Sequence, residues 1–455
     1  MKQTLSRFAA DYSMFFVLLL LCLFFSLMTI DAQHPSGSEA AEEVANEIIA
    51  QQGTKASVLI VAGKSREDIA FANALARRLE ASGVTVLEST GSNPSQVREN
   101  LEALAVAEAP LSAIACTETI SKWSVVSGAA DKYPAFSRVA VIKPKSYLFP
   151  DFLKAGNLKN VAGQSAVFAI IAIGMTLVII TAGIDLSVGS LVALSAVSAA
   201  LVIRDCFGGA SAGPGGMLAG AAAAVALCGL VGLLSGVMVT AFGMPPFIVT
   251  LATMSIARGL AQILSRGQSI YQVPEDFSWL ATGNSLGVPN EVVVMVVLYL
   301  IAHFVMTRTT FGRWVYAVGG NREAARLSGV PVFAVLLLVY VLSGALAGVG
   351  GVMEASRLGS GSPLYGNMYE LYVITAVVVG GTSLAGGEGK IFGTLIGALT
   401  IAVIRNGMNL MNIESYTQGV VMGVLILAAV LIDAGKRKGY GRRVLGSLFA
   451  FGRVR

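Results

Sequence analysis

Charge is scarce in this chain. Only 13% of its 455 residues are Asp, Glu, Lys or Arg, whereas 55% are hydrophobic and the mean hydropathy is +0.72. A soluble chain of this length keeps a charged coat, so the deficit excludes an ordinary water-soluble fold. Histidine occurs only at His34 and His303, which leaves histidine-based triad or metal chemistry without its parts. The four cysteines, Cys22, Cys116, Cys206 and Cys228, have no paired spacing, so neither a disulfide framework nor a zinc site is expected. No catalytic residue, metal or cofactor is predicted. Glycine, by contrast, is plentiful at 51 residues and sits inside apolar runs such as GLVGLLSGVMVTAFG at 229–243. Small residues there let membrane helices approach closely.

The net charge of +5 hides an uneven distribution. Residues 31–150 hold 14 acidic and 11 basic side chains; the remainder holds 13 acidic and 21 basic. The basic excess lies beside apolar runs, which fits a membrane topology signal better than nucleic-acid binding.

A bilayer core of about 30 Å needs about 20 apolar residues in a helix. Ten stretches qualify: about 13–30, 161–181, 187–203, 216–241, 245–264, 291–307, 332–353, 370–385, 391–407 and 417–433. Lys2 and Arg7 precede the first run as in a signal peptide. No convincing small-x-small cleavage site follows, and LLLLCLFFSLMTI is long enough to cross, so a retained span is expected. With the N-terminus inside, the cytoplasmic segments collect 14 of those 21 basic residues, seven of them in the tail. Both termini are therefore expected in the cytoplasm.

Residues 31–150 differ in kind. ASVLIVAG, VTVLEST, LSAIACTE and SRVAVIKP read as strands separated by amphipathic helices, which implies a parallel sheet covered on both faces. The helix in SREDIAFANALARRLEASG is expected to bury Ile69, Ala72, Leu75, Ala76 and Leu79, and Asn93 or Ser95 to cap the next. Topology puts this segment outside the membrane. The predicted fold is thus an all-α polytopic membrane protein of about ten transmembrane helices with an inserted extracytoplasmic α/β domain. Its divisions are 1–30 (tail and first span), 31–150 (insert), 151–435 (membrane domain) and 436–455 (basic cytoplasmic tail).

Three long motifs, GMTLVIITAGIDLSVGS (174–190), GRWVYAVGGNREAARLSGV (312–330) and VVVGGTSLAGGEGKIFGTLIGAL (377–399), closely resemble the permeases of ribose/xylose/arabinose-type ATP-binding-cassette importers. The resemblance covers about 150–435. It implies a permease of the bacterial inner membrane that pairs with a second permease copy, identical or different, and with cytoplasmic ATPase subunits, while a periplasmic sugar-binding protein delivers the substrate. Membrane lipid is the remaining partner; nucleic acid is not. The insert departs from the family, where the first two spans are joined briefly. It resembles, more weakly, one lobe of a periplasmic sugar-binding protein, and reads as a docking or a ligand-sensing module.

Asp185 lies at the junction of two spans, where an ionisable group must be capped, paired or wet. Either Asp185 or Ser187 caps the start of the third span, or Asp185 is a polar gate element at the inner end of the pathway. The basic segment 308–330 contains a Gly-Gly break at Gly319 and Gly320, an Asn321 cap, and a short helix through Arg322, Glu323, Ala324, Ala325 and Arg326. Taken alone it is a solvated topogenic loop; the resemblance implies a helix that docks on an ATPase. GGTSLAGGEGK fails as a phosphate loop, because Lys390 is followed by Ile391 and Leu384 stands where the first glycine belongs, so ATP hydrolysis falls to a partner. Thr176, Thr250, Thr253, Ser255, Thr375 and Asn409 are polar positions within or bordering spans, and the hydroxyls among them read as bonding to their own helices. Arg258 and Asn406 are harder to leave in lipid and stand as pathway candidates. An ion-coupled transporter would carry carboxylates inside its spans; apart from Asp185 the central spans are expected to lack them. A related amino-acid permease is the nearer alternative, against which GIDLSVGS favours the sugar branch.

Overall fold

A computed structural model describes residues 2–89, 93–285 and 287–437. The chain divides into two units, residues 1–29 with 151–455, and residues 30–150.

The first unit is helical. Its first helix is α1 (Lys2–Met28). After the second unit, numbered next in chain order, it continues with α5 (Ala155–Ile180), α6 (Val188–Phe207), α7 (Pro214–Thr240), α8 (Pro246–Ser265) and α9 (Asn290–Arg308). Then come α10 (Thr310–Gly320), α11 (Arg322–Leu327), α12 (Val332–Leu358), α13 (Tyr369–Val379), α14 (Ile391–Leu410) and α15 (Ser415–Arg437). Each of the ten expected apolar stretches coincides at least in part with a helix, but among the described residues only eight helices are long and apolar enough to cross a membrane. The two shorter ones are the Met14–Met28 stretch and α13. The stretch expected to run to 385 stops at Val379, where Gly380 and Gly381 turn the chain.

Helix α5 is the axis: 94% of its most apolar window is buried, so it touches other helices rather than lipid. It packs on α9, α12, α13 and α14, with apolar clusters on either side of it. The α7–α12 pair is closer still. A Cβ on Gly232 would meet the Tyr340 carbonyl, and one on Gly344 the Cys228 carbonyl, so glycine at both places lets the backbones touch.

The second unit holds α2 (Gly37–Gln52), α3 (Arg66–Ala81) and α4 (Pro94–Val106) around β2 (Ser57–Val61), β3 (Thr85–Ser89), β4 (Ala113–Cys116) and β5 (Ala140–Ile142). These four strands form one parallel sheet in the order β3-β2-β4-β5. Helices α2 and α3 cover one face through Val44, Ile48, Phe71 and Leu75; α4 and the short turns at 118–136 cover the other through Val97, Leu101 and Phe136. Asn93 caps α4 in a reciprocal box with Gln96, and Ser65 caps α3. Ile69, expected inside, is exposed, and Phe71 takes the buried place. A ring two positions along fills the sheet face better than the branched side chain. A two-stranded antiparallel ribbon, β1 (Ile30–Gln33) with β6 (Tyr147–Pro150), closes the unit where the chain enters and leaves it.

Candidate functional site: two broken helices that meet inside the bundle

Peptide groups unwound within a membrane bundle need partners, because no water is on hand to supply them. Two stretches of this chain are unwound there. The first is 181–187, between α5 and α6. It folds back into the bundle: Asp185 meets Ser343 of α12, which lies against Gly174 of α5. Six residues, about 9 Å of helix, separate Gly174 from the end of α5 at Ile180. Asp185 is 3% exposed and fully used. Its Oδ1 accepts from the Ser187 amide at 3.0 Å and the Ser187 hydroxyl at 2.6 Å; its Oδ2 accepts from the Ser343 hydroxyl at 2.7 Å. Ser187 holds the N-cap position of α6 but makes no capping bond of its own, so Asp185 does the capping and also ties α6 to α12. Thr250 of α8 donates to the Ile184 carbonyl at 3.1 Å.

The second stretch, 359–368, runs between α12 and α13. Gly361 lies against Ala196 and Ala200 of α6, and Gly366 against Gly189 at the start of α6, so the segment descends along that helix to the depth of its first turn. Arg258 makes this possible. Its Nη1 donates to the carbonyls of Pro363 and Tyr365, both at 2.8 Å, and its Nη2 to that of Gly366 at 3.4 Å. A guanidinium on α8 thus satisfies carbonyls that a continuous helix would have bonded internally.

The two breaks meet. A Cβ on Gly189 would collide with the Gly366 carbonyl and with the Glu370 carboxylate in the first turn of α13. Helix α13 begins at this crossing and is only 11 residues long, ending beside the start of α14. The amide-rich ends of α6 and α13 therefore converge inside the bundle, each with a carboxylate, Asp185 and Glu370, against its positive dipole end.

One end of the bundle links this crossing to an exposed surface. The Gly387 amide donates to the Ile180 carbonyl at 2.8 Å, and Gly319 packs against both groups. The Tyr316 hydroxyl donates to the Gly389 carbonyl at 2.8 Å. Beyond Gly320, the Asn321 side chain accepts from the Ala324 amide at 3.0 Å and starts α11. Arg322, Glu323, Ala324 and Arg326 are exposed and Ala325 is buried beneath them; Arg326 pairs with Glu323 at 2.9 Å. The exposed helix α11 thus stands on the same backbone that enters the broken stretch at Thr181.

Residues 157–430 match the family model described as the branched-chain amino acid transport system / permease component. The chain belongs to this family. It is 44% identical over 297 residues to the ribose import permease protein RbsC of Escherichia coli (strain K12), covering 64% of this chain and 90% of that protein. It is 39% identical to the D-allose transport system permease protein AlsC and 38% identical to the L-arabinose transport system permease protein AraH of the same organism, covering 91% and 92% of them and 67% and 68% of this chain. No solved structure matches the chain. The chain is a multi-pass membrane permease of an importer, and the family match begins after residue 150.

Of this permease's four pathway candidates, Asp185, Ser187 and Arg258 gather at the crossing, and Asn406 does not. Asn406 and Asn157 exchange amide hydrogen bonds of 2.8 and 3.0 Å, and Asn157 also donates to the Phe152 carbonyl at 2.8 Å. Thr176, Thr250, Thr253, Ser255 and Thr375 each donate to the carbonyl four residues earlier.

The expectation that the spans lack other carboxylates is overturned. Glu291 of α9, Glu354 of α12 and Glu370 of α13 lie within the helical bundle, the first two only 4% and 6% exposed. Arg357 pairs with Glu354 and approaches Glu291 at 3.7 Å; Tyr369 donates to Glu354 at 3.2 Å. Sequence reading stops the α12 span at 353, just before these charges begin. The helix continues to Leu358 because Glu354 and Arg357, one turn apart, compensate each other. The spacing E-x-x-R was the one available signal.

Proposed function

We propose that this chain imports a neutral monosaccharide of the ribose class, as the membrane subunit of an ATP-driven importer. The observation that carries the reading is the mechanical path from an exposed helix to a mid-bundle crossing, in a family whose relatives here are named as ribose, allose and arabinose permeases. ATPase subunits dock on Gly319–Arg326. When they close on ATP, α11 moves, Gly319 and Gly387 carry that motion to the Ile180 carbonyl, and the 181–187 stretch shifts against α12. Asp185 and Ser187 hold α6 together during the shift, and Arg258 keeps the 359–368 carbonyls satisfied as the crossing opens. The chain works beside a second permease copy, and a periplasmic binding protein presents the sugar.

Both termini are cytoplasmic in this proposal, and residues 31–150 are periplasmic. Two supports for the topology are charge-based: Arg308, Arg313, Arg322, Arg326 and Lys390 fall on the end marked by Ile180. The basic tail at 438–455 that adds to the bias lies outside the described residues. The 31–150 unit, one lobe in size, serves as a docking module.

The test is uptake of radiolabelled D-ribose and L-leucine by cells dependent on this chain. ATP-dependent ribose uptake that disappears on deletion supports the proposal. Leucine uptake without sugar uptake overturns it in favour of an amino-acid permease.

A further inference from the structure

Arg405 is a charged group in the bundle that the crossing does not use. It sits on α14 among apolar neighbours in TIAVIRNGM, and its guanidinium carbon lies 5.0 Å from the Phe168 ring centre and 4.6 Å from that of Tyr372. Among the described residues no hydrogen bond or ion pair engages it. It is partly exposed, so the donors are reachable.

Its depth is informative. The next residue, Asn406, pairs with Asn157 near the start of α5. Arg405 instead reaches Phe168, eleven residues and about 16 Å further along α5. Tyr372 stands one turn into α13, the helix that starts at the crossing. Side chains on a helix lean toward its N-terminus, and on α14 that direction leads away from the Asn406 end, into the bundle. The guanidinium is therefore drawn inward, away from the headgroups at the near membrane surface, which argues against a lipid phosphate as its acceptor.

The two rings rest on the guanidinium, and all five of its N–H bonds lie in its own plane. A cation kept inside a membrane bundle with its donors unused needs oxygen acceptors, which the described residues do not supply. Aromatic surface beside a planar donor fork is suited to a polyhydroxylated ring, which offers an apolar C–H face and adjacent hydroxyl oxygens. The Tyr369 ring lies tilted against Phe168 with centres 4.5 Å apart, and its hydroxyl donates to Glu354, so acceptors for sugar O–H groups lie nearby.

We propose that Arg405, held between Phe168 and Tyr372, is a substrate-contact residue that donates to adjacent hydroxyl oxygens of a sugar at the depth of the crossing. This rests on the reading of the chain as a sugar importer.

The test is saturation-transfer NMR on the full chain in phosphatidylcholine nanodiscs with 10 mM D-ribose, roughly the concentration range that a weak transit site requires. The wild type should transfer saturation to ribose protons. R405Q should lose at least about fivefold of that signal while keeping a monodisperse elution profile and an unchanged melting temperature. If R405Q does not fold, Y372L, which keeps the charge and removes one ring, should weaken the signal in the same direction. E118Q, in the 30–150 unit, serves as a control and should leave it intact. Equal signals from wild type and from whichever of R405Q and Y372L folds overturn the proposal, as does a wild type with no signal. Cellular ribose uptake is scored separately, so a permease that imports ribose yet gives no Arg405-dependent signal refutes this site and leaves the sugar-import reading standing.

Discussion

The carbonyl oxygen of Gly366 occupies the space that a side chain on Gly189 would need. This contact brings the starts of α6 and α13 together, and neither partner tolerates a methyl group without backbone movement. Replacing Gly189 by Ala should cost about 1–3 kcal/mol, as overpacking does in a dense core. Transport should fall further than stability, because the two broken helices would be spread where they have to move past each other. Melting of the purified chain and sugar uptake by cells separate the two effects. A G189A chain with wild-type melting and wild-type uptake would show that the crossing is not tight in the working protein.

The exposed pair Glu323–Arg326 contributes little to stability, since surface ion pairs are worth about 0–1 kcal/mol. Replacing Arg322 and Glu323 together by Ala should therefore leave insertion and melting unchanged. It should abolish sugar uptake and weaken recovery of the ATPase with the purified permease. Normal subunit stoichiometry and normal sugar-stimulated ATP hydrolysis in the double variant would mean that coupling runs through another surface.

Much of the membrane unit was readable in the sequence because its cues are local. Apolar runs set the spans, Asn321 announces its helix, and the three long motifs contain residues that make the close contacts: Asp185, Gly189, Gly319 and Gly387. What was not readable depends on contacts between distant positions. Arg258 is 105 residues from Pro363, and nothing in its own helix says that it will serve a descending loop. Glu291 and Arg357 lie 66 positions apart; the first is a single charge that an apolar window absorbs, and the second lies past the end of the apolar run at 353. The stretch 359–368 looks like a surface loop because Gly, Ser and Pro are also what a loop contains. Its polarity instead marks backbone that must be satisfied inside the bundle. In the second unit Ala72, Leu75 and Leu79 are buried as expected, and the error is confined to the start of the helix, where Phe71 is buried and Ile69 is not.

The cysteines give a chemical test of the arrangement. Cys206 is exposed near the end of α6, Cys116 and Cys228 are buried, and Cys22 is partly buried. If the end of the bundle opposite Ile180 is periplasmic, a membrane-impermeant maleimide added to intact cells should label Cys206 first. C206S should remove most of that label, and label persisting on C206S would contradict the arrangement.

Within the 30–150 unit, burial pushes the Cys116 thiol up to about 12. Only the unfolded chain can ionise it readily above its ordinary value of about 8.5. The stability this thiol contributes is then fully present below pH about 8.5 and is lost as pH rises toward 12. Cys116→Ala should flatten the alkaline fall in stability of this unit, followed by urea melts between pH 8 and pH 10. An identical fall in both proteins would place the titration elsewhere.

The 30–150 unit also decides whether the permease carries its own receptor. In open parallel sheets, ligands bind beyond the carboxyl ends of the strands where the strand order reverses, here between β2 and β4. That edge presents Gly63, Asp68 and Thr117, but the Asp68 carboxylate already accepts from the Ser65 hydroxyl at 2.7 Å and from the Thr117 hydroxyl at 3.5 Å, while the Asp68 amide donates to the Ser65 hydroxyl in the helix cap. A hollow of about 450 Å³ exists elsewhere, lined by Asn73, Ala76, Arg77, Glu80 and Val86, away from the carboxyl edge. One wall without an opposing lobe leaves a sugar mostly hydrated, whereas small-ligand sites bury most of the ligand. Affinity should then be millimolar or poorer, no more than about 4 kcal/mol. The fragment 31–149, which closes on its own β1–β6 ribbon, should fold and show no sugar-specific heat in calorimetry at micromolar concentrations. Micromolar binding of any pentose or hexose would falsify the docking role and make this unit a receptor joined to its own channel.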